Sequence, residues 1–304
     1  MTRSLTCIIM PCKSVKITSM DRKVAVITDS ISCLTKELIE QYGIIIVPIM
    51  LLVQGKLYRD SVDMTPTQAY EFLLKDPDNF NTSPSSPGEY LEAYRKARKQ
   101  AQNIICIMLS SHLSTSYNMA KIAAEQAKNE FPGIKIKVMD SENVTAAEGF
   151  IALAAARAAA EGKDLDECVR AAEEVKGKVQ FLAVLDTIKY VYRTGRIPKV
   201  ASNVGSALKI KPILTNSSGY VRFAGAVRNK KKGLDRLIKL MKAQVGDSPV
   251  HVAVMHAYTP GEAEKLRQRI DSEFKCVELW ISEFTPVMGY ATGTGTLAVA
   301  FYAE

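Results

Sequence analysis

Long hydrophobic runs are missing from this chain. Leu5 to Met10 is cut off by Pro11, and Ile44 to Val53 and Phe150 to Ala160 are also too short for the roughly 20 apolar residues that a helix needs to cross a bilayer. Neither a secretory leader nor an integral membrane segment is expected, and the protein is expected in the cytoplasm. Histidine is scarce, at positions 112, 251 and 256 only, and the six cysteines at 7, 12, 33, 106, 168 and 276 include no Cys-x-x-Cys pair. Zinc-ligand spacing and a secreted disulfide framework are both absent, so no metal and reduced thiols are expected. Aromatic residues make up 7% and none is interleaved among the dense basic spots Arg193 to Ile197 and Arg228 to Lys232, as a single-strand nucleic-acid groove would require. The net charge is +8, but Arg3, Lys13 and Lys16 supply part of it within the first twenty residues, which hold no acid. The small remainder reads as a solvated surface, and no nucleic-acid partner is expected.

Nucleotide and hydrolase motifs are missing as well. No Walker A sequence and no Gly-x-Ser-x-Gly elbow occurs, and Gly293 to Ala298 matches a dinucleotide fingerprint by letter alone, with six residues left after it. That fingerprint must follow a strand and open a helix.

What is present is a chain of 304 residues, 47% hydrophobic and 24% charged, enough for one large domain or two. Strand and helix signals alternate through the first half. Val24 to Thr28, Ile44 to Val53, Ile104 to Leu109 and Ile134 to Met139 read as strands, with helices over Thr35 to Tyr42, after the capping boxes Thr65 to Gln68 and Ser86 to Glu89, from about Ser114, and over Val144 to Glu161. This predicts a parallel-sheet α/β domain. After about 175 a strand at Val179 to Leu185 precedes a hairpin over Lys211 to Val227 with Asn216 to Gly219 as its turn. Helices near Lys230 to Val245 and Gly261 to Glu273 then alternate with strands near Val250, Cys276 and Leu297. The expected domains are 21–176 and 177–304, the second with a mixed sheet and the ligand cleft between them; residues 1–20 read as a disordered extension or a mis-assigned start.

Two Ser/Thr clusters, Asn81 to Pro87 and Ser110 to Asn118, lead into expected helices. Hydroxyls there most often cap helices, yet in a parallel sheet the same places receive ligands. Ser111 or Ser114 with a histidine would make a small-molecule hydrolase or transferase. His256, closing an apolar run, reads better as a strand-end residue.

Taken in order, these segments resemble the DegV family over about 21–304. Val24 to Ser30 is similar to its first strand and Thr-Asp-Ser turn, Thr82 to Pro87 to Thr-Ser-Gln-Pro-Ser-Pro, and Ser110 to Asn118 to Ser-Ser-x-Leu-Ser-Gly-Thr-Tyr-Asn. Gly195 to Ile197 is similar to Gly-Gly-Arg-Ile, Lys209 to Leu214 to Lys-Pro-Ile-Leu, and Pro286 to Gly295 to the family's glycine-rich last segment. The resemblance implies a non-catalytic, cofactor-free subunit that holds one long-chain fatty acid in an interdomain tunnel and presents it to an ATP-dependent fatty acid kinase. It implies that Thr82, Ser114 and Arg228 hold the carboxylate, that Ser83, Thr115, His256, Thr292 and Gly289 are further pocket candidates, and that Arg196 faces the partner. Pro84, Thr115 and Ala291 depart from the family's Gln, Gly and His. A lipid-sensing regulator without a kinase is the remaining alternative.

Overall fold

The computed structural model describes residues 22–196 and 210–304. The extension carrying Arg3, Lys13 and Lys16, and the motif residues Ile197 and Lys209, lie outside them. From Arg22 the chain forms β1 (Arg22–Asp29), α1 (Lys36–Tyr42), β2 (Ile45–Val47), β3 (Met50–Val53), β4 (Lys56–Arg59), α2 (Pro66–Lys75), β5 (Phe80–Ser83) and α3 (Pro87–Arg98). It continues through β6 (Ala101–Met108), α4 (Ser116–Glu130), β7 (Lys135–Asp140), α5 (Ala146–Ala160) and α6 (Leu165–Lys178). Strands β2-β1-β6-β7 pair in parallel. Helical crossovers cover both faces of such a sheet, which is why β1 and β6 read as nearly unbroken apolar runs. Alternate side chains enter different cores: Ala25, Ile27, Ile104 and Cys106 pack with Tyr90 and Tyr94 of α3, whereas Val24, Val26, Ile105 and Ile107 share a core with Phe150 and Ile151 of α5.

The apolar run 44–53, expected as one strand, is two. Pro48 has no N–H to give a ladder; the chain leaves the parallel sheet at Val47 and enters a three-stranded antiparallel sheet, β4-β3-β5, at Met50. That sheet takes Asn81 to Ser83 as strand residues, with Thr82 opposite Leu51, so half of the first Ser/Thr cluster is strand rather than helix lead-in. The other half caps α3: Ser86 Oγ accepts the Glu89 N–H, and the Glu89 carboxylate accepts the Ser86 N–H at 2.8 Å. Ser86→Ala is expected to lower unfolding stability by about 1 kcal/mol in a denaturant titration, with no change at the cleft described below.

The second half forms β8 (Gln180–Val184), α7 (Lys189–Thr194), β9 (Lys211–Ser217), β10 (Tyr220–Val227), α8 (Lys230–Val245), β11 (Val250–His256), α9 (Pro260–Glu273), β12 (Cys276–Glu283), α10 (Pro286–Thr292) and β13 (Leu297–Ala303). Its sheet order is β10-β9-β8-β13-β11-β12, parallel only between β11 and β12. The β9–β10 turn falls at Ser218 and Gly219, both left-handed at φ 50° and 81°, the geometry of a type I′ hairpin. Gly293 to Thr296 connects α10 to β13 and opens no helix.

Helices α8 and α9 cover one face of this sheet through Leu237, Met241, Leu266 and Ile270. Its other face, with Phe181, Ala183, Ala253 and Ala298, shares one core with α5 and the parallel sheet. The layers therefore run helices, sheet, helices, sheet, helices. The alanines of α5 are nearly all buried, and their small side chains let a helix sit between two sheets. Arg157 of α5 grips Glu278 of β12 with two bonds of 3.0 and 2.6 Å, and His251 Nδ1 joins the same carboxylate at 2.6 Å. Three helices were not anticipated: α6, α7 and α10. Among the described residues no helix is long and apolar enough to cross a membrane.

Candidate functional site

Strand order in the parallel sheet reverses between β1 and β6, and the carboxyl ends of those two strands are where such sheets bind ligands. Asp29 ties the two ends together, accepting the N–H of Ile31 at 2.8 Å and that of Leu109 at 3.4 Å. Just beyond, Ile31, Leu109, Leu113 and Ser114 form one wall of a narrow cleft, partly open to solvent. Phe181, Ala183, Leu214 and Val221 of the mixed sheet form the facing wall. Ile49, Thr82, Ser83 and Pro84 close one side, and Val287, Met288, Ala291 and Thr292 of α10 another, with Thr194 and Arg196 completing the lining. The interior is apolar and the polar groups are few, the usual make-up of a small-molecule site.

Which hydroxyls can serve a ligand follows from their existing partners. Thr292 Oγ1 donates to the Met288 carbonyl at 2.8 Å, Ser83 Oγ to the Pro84 carbonyl at 3.2 Å, and Thr194 Oγ1 to the Val191 carbonyl at 3.0 Å. A hydroxyl has one hydrogen, so none of these three can donate again. Thr82 Oγ1 has no partner among the described residues. Ser114 Oγ accepts the Ser116 N–H at 3.2 Å and lies 2.8 Å from Ser116 Oγ; with Ser116 as donor, the Ser114 hydrogen is left for a ligand.

Thr82, Ser114, Ser83, Thr292 and Arg196 are thus brought to one cleft, while Arg228, Thr115, His256 and Gly289 are not among its lining residues. Arg228 is exposed beyond the end of β10, and Thr115 is exposed at the start of α4. His256 ends β11 and is buried; its Nδ1 accepts the Thr259 N–H at 3.3 Å, and burial holds the imidazole below its ordinary pKa. Gly289 serves packing: a Cβ there would stand 2.2 Å from the Tyr70 ring of α2, whose hydroxyl donates to the Phe284 carbonyl at 2.9 Å. Arg196, expected on a partner-facing surface, is exposed and also reaches the cleft, its Nε donating to the Leu113 carbonyl at 3.0 Å. Ser110 holds the hairpin instead of a ligand: its hydroxyl donates to the Gly219 carbonyl at 2.7 Å while His112 stacks on Tyr220 at 4.0 Å.

Sequence reasoning missed a set of buried acids behind the cleft. Asp29, Asp60 and Glu148 are all essentially inaccessible to solvent. Burial pushes Asp29 up to about 7, against the lowering effect of the Ile31 and Leu109 N–H groups, and pushes Asp60 up to about 6. Burial likewise raises Glu148 well above the carboxylate range, with the neighbouring Asp29 charge adding to it. Thr28 Oγ1 donates to one Glu148 oxygen at 2.9 Å, and the other has no donor unless a proton is shared with Asp29. The signal was a lone Glu inside an alanine run, Ala146-Ala147-Glu148-Gly149-Phe150.

Among the described residues no imidazole hydrogen-bonds a serine hydroxyl: His112 stacks on Tyr220, His251 pairs with Glu278, and His256 meets a backbone N–H. The nucleophile–base pair that a serine enzyme needs is not assembled among them. Among the described residues no group of acids, histidines and cysteines is placed to hold a metal.

Comparison with known proteins gives this cleft its context. The chain is 32% identical over 283 residues to a DegV domain-containing protein of Clostridium perfringens, covering 92% of this chain and 99% of that one. Its fold superposes with a TM-score of 0.84 on a fatty-acid-binding DegV family protein of Thermus thermophilus, at 27% identity, over 93% of this chain and 100% of that one. DegV of Bacillus subtilis, a fatty acid binding protein, gives 0.83 at 28% identity with the same coverage. A family model described as an uncharacterised protein of the DegV family matches residues 23–304, nearly all of the chain that the five layers and their cleft are built from, and the protein belongs to the DegV family.

Proposed function

We propose that this protein is a non-catalytic carrier for one long-chain fatty acid. The observation that carries this reading is the convergence on one apolar cleft between two sheets of the Thr82 hydroxyl from β5, without a partner among the described residues, and the Ser114 hydroxyl from the loop before α4, which can donate when Ser116 is the donor in their pair. An acyl tail of about fourteen methylenes would gain roughly 11 kcal/mol on burial before association costs are subtracted. Affinity comes from the tail, and the hydroxyls let a carboxylate enter without meeting undonated apolar wall. The two relatives that bind fatty acids support the ligand class. The finer part of the proposal is that domains 21–176 and 177–304 close around the tail and offer the carboxylate, in the cytoplasm, to a separate ATP-dependent kinase that makes an acyl phosphate. The absence of a serine–histidine pair among the described residues leaves the hydrolase reading without support.

Mass spectrometry of an organic extract of the purified protein tests the carrier reading directly. Long-chain fatty acid in near-equimolar amount is the expected result; protein free of acyl chains that also takes up none on incubation would overturn it.

A further inference from the structure

We propose that the tip of the β9–β10 hairpin is a strap across the cleft, and that the fatty acid enters and leaves when the strap lets go of the first half of the chain. The inference rests on the fatty-acid reading above. β9 is ladder-bonded to β8 only as far as Thr215, opposite Leu182. From Asn216 the hairpin runs on with no further strand beside it among the described residues, Asn216 pairing with Val221 and Ser217 with Tyr220. Val221 is part of the cleft wall, so the tip carries a piece of that wall past the last ladder pair that anchors it. Lower in β10 the register shifts between Phe223 and Gly225. Gly225 sits at φ 141°, and a Cβ there would meet no atom within 4 Å. Its glycine therefore serves backbone conformation rather than close packing, which is what a bend point needs.

What holds the tip is a small set of contacts to two turns of the first half. Ser110 Oγ donates to the Gly219 carbonyl at 2.7 Å, and the His112 ring stacks on Tyr220 at 4.0 Å. Asn216 Nδ2 donates to the Glu142 carbonyl at 2.7 Å and to Asn143 Oδ1 at 2.9 Å. The tip buries no large apolar side chain: Ser217, Ser218 and Tyr220 are exposed, and Asn216 and Val221 are half-buried. Segments held by few buried apolar contacts open at low cost. The receiving turn is also the one that leads to the head-group hydroxyl, because the Ser110 carbonyl accepts the N–H groups of Leu113 and Ser114 at 2.9 and 3.2 Å, and both residues line the cleft. Release of the strap thus loosens the tail wall at Val221 together with the turn that presents Ser114. The cleft is narrow, and an acyl tail filling it needs a wall that moves.

The test is the rate at which a fluorescent fatty acid enters and leaves the delipidated full chain, read by stopped flow, in a Ser110→Cys, Gly219→Cys double variant. A Cβ on Gly219 would stand 2.8 Å from Ser110 Oγ, within the reach of a disulfide, and 2.7 Å from the His112 ring, which must turn aside. With the disulfide closed, entry and release are expected to slow by roughly 10-fold or more and to recover on reduction, whereas neither single-cysteine variant responds to reductant. A closed disulfide that leaves both rates unchanged would overturn the strap and leave the fatty-acid reading standing. If the double variant misfolds, Tyr220→Ala decides. Tyr220 is exposed, and its stack tethers the empty and loaded forms alike, so losing it is expected to raise entry and release together by about 2- to 10-fold with Kd nearly unchanged. Rates at wild-type values, or faster release alone with a matching rise in Kd, would mean that the tip is a fixed piece of the wall. Wild type that takes up no fatty acid would overturn the fatty-acid reading and this proposal with it.

Discussion

Thr82→Ala combined with Ser114→Ala is expected to weaken fatty-acid binding by roughly 10² to 10⁴-fold, two hydrogen bonds to an anion being worth about 1.5 to 3 kcal/mol each. The loss should exceed the sum of small packing changes because the tail cannot reach its wall without dragging in the carboxylate. The Thr82 hydroxyl has no partner among the described residues, so its removal leaves nothing unpaired inside. Ser114 does cap the Ser116 N–H at 3.2 Å, and losing that contact costs about 1 kcal/mol, too little to unfold a domain of this size. Titration of delipidated protein with a fluorescent fatty acid, beside a thermal melt, separates the two effects. A folded double variant that retains its full lipid complement would mean the carboxylate lies elsewhere.

Acidification from pH 8 towards pH 5 is expected to stabilise the protein, the reverse of what surface ion pairs would produce. Asp29 and Asp60 are raised by burial to about 7 and about 6, and burial also raises Glu148 well above the ordinary carboxylate range. Between their unfolded values near 3.8 to 4.5 and these folded values, the native state holds protons that the unfolded chain has released. Stability therefore falls as pH rises through that interval and levels off above the folded values. For Asp60 alone, a rise from 3.8 to about 6 corresponds to roughly 3 kcal/mol. The Asp29–Glu148 pair acts in the same direction, since two adjacent buried carboxyls cannot both ionise cheaply. Burial of Glu283 adds to it, while His256, held below its ordinary value, opposes it below about pH 6.5. Three buried acids outweigh one imidazole.

Glu148→Gln sharpens the experiment. The amide keeps an oxygen for Thr28 and offers an N–H to Asp29, so the variant should be more stable than wild type at pH 8 and show a shallower dependence on pH. Urea midpoints at pH 5.5 and pH 8 for both proteins suffice. Wild type no more stable at pH 5.5 than at pH 8, or an unchanged slope in Glu148→Gln, would show that these acids are not protonated in the folded state. The acids stand behind the cleft, with Ile31 and Leu109 forming both its wall and the N–H groups that Asp29 accepts.

Local chemistry was enough to read much of this fold. The apolar runs of β1 and β6, the Thr65 and Ser86 capping boxes, and the Ser218-Gly219 turn each depend on residues within a few positions of one another, and each is where the sequence places it. The same kind of signal marks α6, where Asp164 and Glu167 form a reciprocal cap, and it was overlooked. Helix α10 spans only Pro286 to Thr292, too short for its apolar period to declare itself. Pro48 marked a break in the run 44–53, but that a third sheet lies beyond it depends on the pairing of Leu51 with Thr82.

Function divides along the same line. That hydroxyls gather before two helices, and that the order of segments matches a family, is written in the sequence. Which hydroxyl has a hydrogen left to give is not. Ser110, Thr292, Ser83, Thr82 and Ser114 are equivalent donors in a sequence; Gly219 takes the first, Met288 the second and Pro84 the third. That Arg196 and not Arg228 lines the cleft, and that Gly289 seats the Tyr70 ring, likewise depends on contacts between residues far apart in the chain. A side chain's chemistry is local, but whether that chemistry is already satisfied depends on partners that only the folded chain brings within reach.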